Sequence, residues 1–242
     1  IHKTLDLPFA IKVLKTTDSE IQERLITEGK LQASLQHPNI VRVSDVLLIN
    51  EQPCLVMEFI EGITMDQWLQ ETKPNIETTV NLFEGILSAM GYAHSKGFVH
   101  RDVKPANILL QKKQGILIPK ICDFGLAKML RDQDDGKTQT GMTMGTPAYM
   151  SPEQIQDSKN VDQRTDIFSL GAMLYEVLSG LKAFNGTTTF DILHKIVYQP
   201  HPPIATIEPN LPNHLINAVD GALCKDPAKR IPDCTTFLSI LK

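Results

Sequence analysis

The chain has 242 residues, long enough to bury a sizeable core without a disulfide or metal staple. Hydrophobic residues make up 42% and charged residues 21%, which excludes wholesale disorder. Lys and Arg number 24 against 28 Asp and Glu, a formal net charge of −4 that gives no global reason to expect nucleic acid as a partner.

Leu7 to Leu14 reads as a strand. Glu20 to Gln36 reads as a helix, with apolar residues at Ile21, Leu25, Leu31 and Leu35. Thr17-Asp18-Ser19 offers capping oxygens ahead of it, and His37-Pro38-Asn39 stops it. Ile40 to Ile49 and Cys54 to Phe59 read as strands around a turn at Asn50-Glu51-Gln52-Pro53. After Gly62 the pattern turns helical. Ile76 to Ser95 is one long helix, Ile118 to Cys122 is strand-like, and Val161 to Ser179 holds another helix that Gly180 closes. Further helices follow from Asn213. The expected fold class is α+β in two lobes. Residues 1–60 form a small β-rich lobe with one helix, and residues 61–242 a larger helical lobe, joined near Glu61-Gly62. Between Met129 and Met150 lies a Thr-, Asp- and Gly-rich loop whose length implies function or disorder.

The four cysteines, Cys54, Cys122, Cys224 and Cys234, include no CxxC pair, so neither a zinc ribbon nor a thioredoxin-type site is indicated. Free thiols fit a reducing, cytoplasmic compartment. No apolar run approaches the roughly 18 residues that span a bilayer, and the N-terminus lacks signal-peptide order. Because the chain starts at Ile1, it is expected to be a piece of something longer.

The chemistry concentrates in three strings. His100-Arg101-Asp102-Val103-Lys104-Pro105-Ala106-Asn107 sets a carboxylate, a lysine and an amide within six positions. A carboxylate there can orient a hydroxyl and take its proton. The lysine can offset charge on a moving phosphoryl group, and the amide oxygen can ligate Mg²⁺. Asp123-Phe124-Gly125 follows a strand and can hold Mg²⁺ against phosphates. Phe9-Ala10-Ile11-Lys12 puts a lysine in an apolar strand, a costly placement unless the charge is paired, and Glu28 on the next helix is the expected partner. Taken alone, Lys12 reads equally well as a solvated edge lysine.

Together these strings resemble the protein-kinase catalytic domain, in the form of the eukaryotic-like Ser/Thr kinases of bacteria, and the resemblance runs over essentially the whole chain in order. It implies a two-lobed kinase fold and transfer of the γ-phosphoryl of ATP to protein serine or threonine, with Mg²⁺. By position, Lys12 is similar to the lysine that grips the α/β-phosphates, and Glu28 to its helix partner. Asp102 resembles the catalytic base, Lys104 the transition-state lysine, and Asn107 and Asp123 the Mg²⁺ ligands. Glu58 and Ile60 would offer backbone groups to adenine, with Met57 as gatekeeper and Ala10 and Leu109 sandwiching the ring. Cys122 reads as packing before it reads as a reactive thiol.

Gly145 to Glu153 resembles the substrate-docking loop, with Ser151 where relatives often have Ala and Thr146 within reach of Asp102 and Lys104. Glu153 would pair with Arg230, and Asp166 would brace the catalytic loop. Thr138-Gln139-Thr140 matches a doubly phosphorylated Thr-x-Thr pattern, and a phosphate there could pair with Arg101, ordering the loop. The implied partners are a protein substrate and, for autophosphorylation in trans, a second copy of the chain. Nucleic acid is not among them.

The pattern departs from the family in places. No G-x-G-x-x-G precedes Lys12, and Ile1 to Asp6 resembles the end of a hairpin, so about 20–30 further residues are expected upstream. That leaves a sheet edge exposed. Gln32 stands where relatives often bury an apolar residue, and Gly29, at about 1 kcal/mol against Ala, suggests a helix that moves. The competing readings are a pseudokinase scaffold, which loss of Lys12, Asp102, Asn107 or Asp123 would favour, and a small-molecule kinase of the same fold. All four residues are present, and the docking stretch counts against the latter.

Overall fold

The computed structural model describes residues 8–14, 18–124 and 147–242. Strand β1 is Phe9–Val13, helix α1 is Ser19–Ala33, and strands β2 and β3 are Val43–Ile49 and Gln52–Glu58. They form an antiparallel sheet in the order β1-β3-β2, so β1 is an edge among the described residues. The Asp18 carboxylate accepts from the Glu20 N–H at 2.9 Å and opens α1. The hairpin between β2 and β3 turns on only two residues, Asn50 and Glu51, with φ 49° and 62°. Ile49 faces Gln52 across it, so Gln52 and Pro53 belong to β3 rather than to the expected four-residue turn. Positive φ at both central residues suits the right-handed twist of the flanking strands.

Gly29 lies buried in α1, facing the sheet. A Cβ there would come within 2.7 Å of Leu55 Cδ2 and 2.8 Å of Val46 Cγ2. The glycine therefore marks close approach of helix and sheet, which accounts for its place in the helix without invoking motion. Gln32 is buried as well, at 3% exposure.

A second antiparallel sheet joins β4 (Gly62–Thr64), β5 (Ile108–Lys113) and β6 (Ile116–Ile121) in that order. Helices α2 (Met65–Glu71) and α3 (Ile76–Ser95) lie between β4 and β5 in the chain. Then come α4 (Pro152–Gln156), α5 (Arg164–Ser179), α6 (Thr189–Tyr198), α7 (Ile204–Ile207), α8 (Asn213–Ala222) and α9 (Cys234–Leu241). Helix α5 is buried on nearly every face, its polar Thr165, Asp166, Ser169 and Ser179 included. Gly180 ends it at φ 74°, the left-handed stop.

The core falls into two clusters. A small one unites Leu14, Leu25, Val43 and Leu55. The large one includes Phe83, Ile86, Met90, Ile121, Phe168 and Tyr175, and also takes in Leu35 and Ile40 from the end of α1 and the segment after it. Among the described residues no helix is long and apolar enough to cross a membrane, and all four cysteines are free thiols.

Candidate active site

The loop from His100 to Asn107 is fastened from below by Asp166 in the first turn of α5, whose residue is fully buried. Its Oδ2 accepts from the His100 N–H at 2.8 Å, and its Oδ1 from the Arg101 N–H at 2.8 Å. His94 Nε2 also donates to Oδ2 at 2.8 Å. Three donors offset the cost of burying a carboxylate. They hold Arg101 at φ 66°, a left-handed conformation few non-glycine residues adopt. From the other side, Gln154 Nε2 donates to the Arg101 carbonyl at 2.7 Å. Gln154 belongs to a capping box with Ser151 at the start of α4, where Pro152 occupies the first turn. Ser151 Oγ also lies 2.5 Å from Thr165 Oγ1. The serine thus has its own bonding role where relatives often carry alanine.

On this platform Asp102, Lys104 and Asn107 form one bonded cluster. Asp102 Oδ2 accepts from Lys104 Nζ at 2.7 Å and from Asn107 Nδ2 at 3.0 Å. Asn107 Nδ2 also donates to the Asp102 carbonyl at 2.8 Å. The amide N–H groups are therefore used within the loop, and the amide oxygen remains an acceptor. The Asn107 carbonyl accepts from the Cys122 N–H at 3.0 Å, which ties the loop to the end of β6. His100 Nε2 donates to the Cys122 carbonyl at 2.9 Å, and the His100 ring lies 4.6 Å from that of Phe124. Phe124 is buried at 3% exposure, and Asp123 is turned outward at φ 67°. Cys122 is fixed by packing, as expected. Burial, then the Asp123 charge, pushes its thiol up to about 12, and Sγ donates to the Asn107 carbonyl at 3.3 Å.

Lys12 corrects the expectation made for it. Its Nζ lies 2.6 Å from Asp123 Oδ1, and the expected pair with Glu28 is not formed. Glu28 instead lines a cavity of about 300 Å³ with Leu31, Lys96, Phe98 and Arg101. The reason is local: Asp123 already supplies the counter-charge that the half-buried lysine needs. Ala10 faces Met57 across the β1–β3 ladder, Leu109 is half-buried on the other sheet, and Ile60 is 8% exposed. The Glu58 N–H donates to the Arg42 carbonyl.

Glu153 and Arg230 meet as expected. Arg230 Nη1 and Nη2 lie 2.5 Å and 2.9 Å from the two carboxylate oxygens, and the arginine side chain is fully buried. Tyr149 donates to Glu176 Oε2 at 2.5 Å, and burial with that carboxylate raises its hydroxyl pKa. Thr138, Thr140, Gly125, Thr146 and Ile1 to Asp6 lie outside the described residues. Sequence reasoning missed Gln154, whose signal was the Ser-x-x-Gln spacing behind Pro152. It also missed the ion pair of Glu58 with Lys120, which leaves no sequence signal.

The fold, a small sheet lobe beside a larger helical one, is that of a known family. The protein kinase domain model matches residues 1–239, and the chain belongs to that family. The probable serine/threonine-protein kinase PknB of Lactococcus lactis is 37% identical over 95% of this chain and 36% of its own length. PknB of Mycobacterium tuberculosis is 34% identical over 95% and 38%. Among solved structures, Rad53 1-466 in complex with AMP-PNP superposes with a TM-score of 0.77 at 28% identity, covering 95% of this chain and 56% of that one. The M. tuberculosis PknI kinase domain gives 0.74 at 26% identity, over 96% and 84%. The chain spans little more than a third of the length of the curated relatives named here.

Proposed function

We propose that this domain transfers the γ-phosphoryl group of ATP to serine or threonine hydroxyls of a protein substrate. The observation that carries the reading is the bonded cluster of Asp102, Lys104 and Asn107, joined through Cys122 to Asp123, which in turn meets Lys12. Asp102 orients the substrate hydroxyl and accepts its proton. Lys104 neutralises charge as it develops on the transferred group. Lys12 leaves Asp123 for the α/β-phosphates, and the adenine lies between Ala10 and Leu109 against the backbone of Glu58 and Ile60, beside Met57.

The Asp123 carboxylate and the Asn107 amide oxygen are hard oxygen donors of the kind Mg²⁺ selects, and the Asn107 bonding pattern leaves that oxygen available. These two residues would hold the ion, which would supply positive charge to offset that of the phosphates.

Arg101 keeps Nη1 buried without a hydrogen-bond partner among the described residues. A donor so placed supports regulation by phosphate on Thr138 or Thr140, added in trans by a second copy. Free thiols support a cytoplasmic site for the domain within a longer, membrane-anchored protein. The test is incubation of the full-length protein with labelled ATP and Mg²⁺, followed by phosphoamino-acid analysis and site mapping. The expected result is phosphoserine and phosphothreonine, with label on Thr138 or Thr140. No incorporation under these conditions would contradict the transferase reading, and label confined to other sites would remove the regulatory one.

A further inference from the structure

Strand β3 ends at Glu58, and its side chain reaches across to the other sheet. Glu58 Oε1 accepts from Lys120 Nζ at 2.9 Å and from the Arg42 N–H at 2.9 Å. Both partners of the ion pair are partly withdrawn from water, with side chains 12% and 33% exposed for Lys120 and Glu58. Such a pair is screened less than one on the open surface. Lys120 stands on β6, three residues before Asp123. Glu58 faces Phe9 across the ladder with β1, three residues before Lys12. The pair therefore links the strand that carries Lys12 to the strand that delivers Asp123.

Its neighbours on β6 are tethered too, but by the segment after α1. Asn39 Nδ2 donates to the Pro119 carbonyl at 2.8 Å. The Val41 N–H donates to the Ile121 carbonyl, and the Ile121 N–H to the Asn39 carbonyl, both at 2.8 Å. His37 anchors that segment in turn. Its Nδ1 accepts from the Asn39 N–H at 3.1 Å, and its Nε2 lies 3.2 Å from Ser88 Oγ on α3. Burial, then the Lys120 charge, keeps His37 below its ordinary pKa and so in the neutral form that can accept.

We propose that Glu58 and Lys120 are positioning residues. Their ion pair is an interlobe brace that sets the separation of Lys12 from Asp123 and thereby the affinity for ATP. The proposal rests on the kinase reading for its ligand, but it concerns binding and not the chemical step. Glu58→Gln keeps an oxygen for Arg42 while removing the charge, and Lys120→Met keeps the aliphatic stem.

The experiment measures the dissociation constant of ATP with Mg²⁺ by titration, alongside turnover. It compares the unmodified full-length protein, each single variant and the double variant. Each single substitution is expected to weaken ATP binding about three- to tenfold. The double variant is expected to be no weaker than the worse single, because both remove the same contact. Unchanged affinity in the singles, or losses that multiply in the double, would overturn the brace. Weaker binding in the variants with no transfer by the unmodified protein would leave the brace standing and refute the transferase. Transfer with unaltered affinity would do the reverse, and no binding of ATP by the unmodified protein would overturn both.

Discussion

Asp123 and Cys122 are adjacent in the chain yet meet opposite environments. Asp123 is turned out at φ 67° with its carboxylate against Lys12, while Cys122 is turned in against the Asn107 carbonyl. The thiol is pushed up to about 12, first by burial and then by the neighbouring carboxylate. Folding therefore favours the protonated thiol. Between the ordinary thiol range and pH 12 the folded state binds more protons than the unfolded one, so this group lowers stability as pH rises through that window and has no effect below it. The thiol should also be inert near neutral pH, since the thiolate is the nucleophile. Iodoacetamide at pH 8 is expected to leave Cys122 unmodified in the native protein and to label it in urea, as read by peptide mass spectrometry. Rapid native labelling would contradict this. At this scale the strings from His100 to Asn107 and from Asp123 to Phe124 were legible, because the chemistry needs those residue types close together in the chain. The partner of Lys12 was not, because Asp123 lies 111 positions further along, and which carboxylate wins depends on how the lobes meet.

Elements with a long apolar period were read to their ends. The helix expected over Ile76 to Ser95 is found over Ile76–Ser95. Helix α1 stops at Ala33, a turn short of the expected Gln36. The short strands β4 and β5 were not foreseen: three and six residues carry too little alternation, and β5 follows directly on the loop from His100 to Asn107. The hairpin from β5 to β6 turns on Gln114 and Gly115, both at positive φ. Gly29 shows how an element's composition can mislead. Propensity alone says that Gly29→Ala should stabilise α1 by about 1 kcal/mol. The contacts at 2.7 Å and 2.8 Å say that a methyl group must displace Leu55 and Val46, at a cost of about 1–3 kcal/mol. The expected net result is a loss of about 1 kcal/mol in urea denaturation. A variant more stable than the parent would show that α1 does not lie this close to the sheet.

Across the whole molecule, the site depends on contacts made far from it. Arg230 uses Nε on the Cys224 carbonyl, Nη1 on the Arg164 carbonyl and on Glu153, and Nη2 on the Lys225 carbonyl and on Glu153. Through Glu153 the start of α4 is locked to the segment before α9, and α4 carries the Gln154 that holds Arg101. Replacing Glu153 with Ala leaves a buried guanidinium without its counter-charge. Loss of one partner of a buried pair costs about 3–5 kcal/mol, so Glu153→Ala is expected to lower the unfolding free energy by that order, measured by chemical denaturation. A loss below about 1 kcal/mol would mean that the pair is solvated. The pairing of Glu153 with Arg230 was anticipated by resemblance, whereas the brace between Glu58 and Lys120 was not, since neither residue type nor spacing marks a contact between strands of different sheets. The central claim is that Asp102, Lys104, Asn107, Asp123 and Lys12 act as one phosphoryl-transfer site. Its most direct measurement is the single-turnover rate of phosphate transfer by Asp102→Asn at saturating ATP. The account predicts a fall of about 100-fold or more with ATP still bound, the contribution of a positioned base; a rate equal to that of the unmodified protein would contradict it.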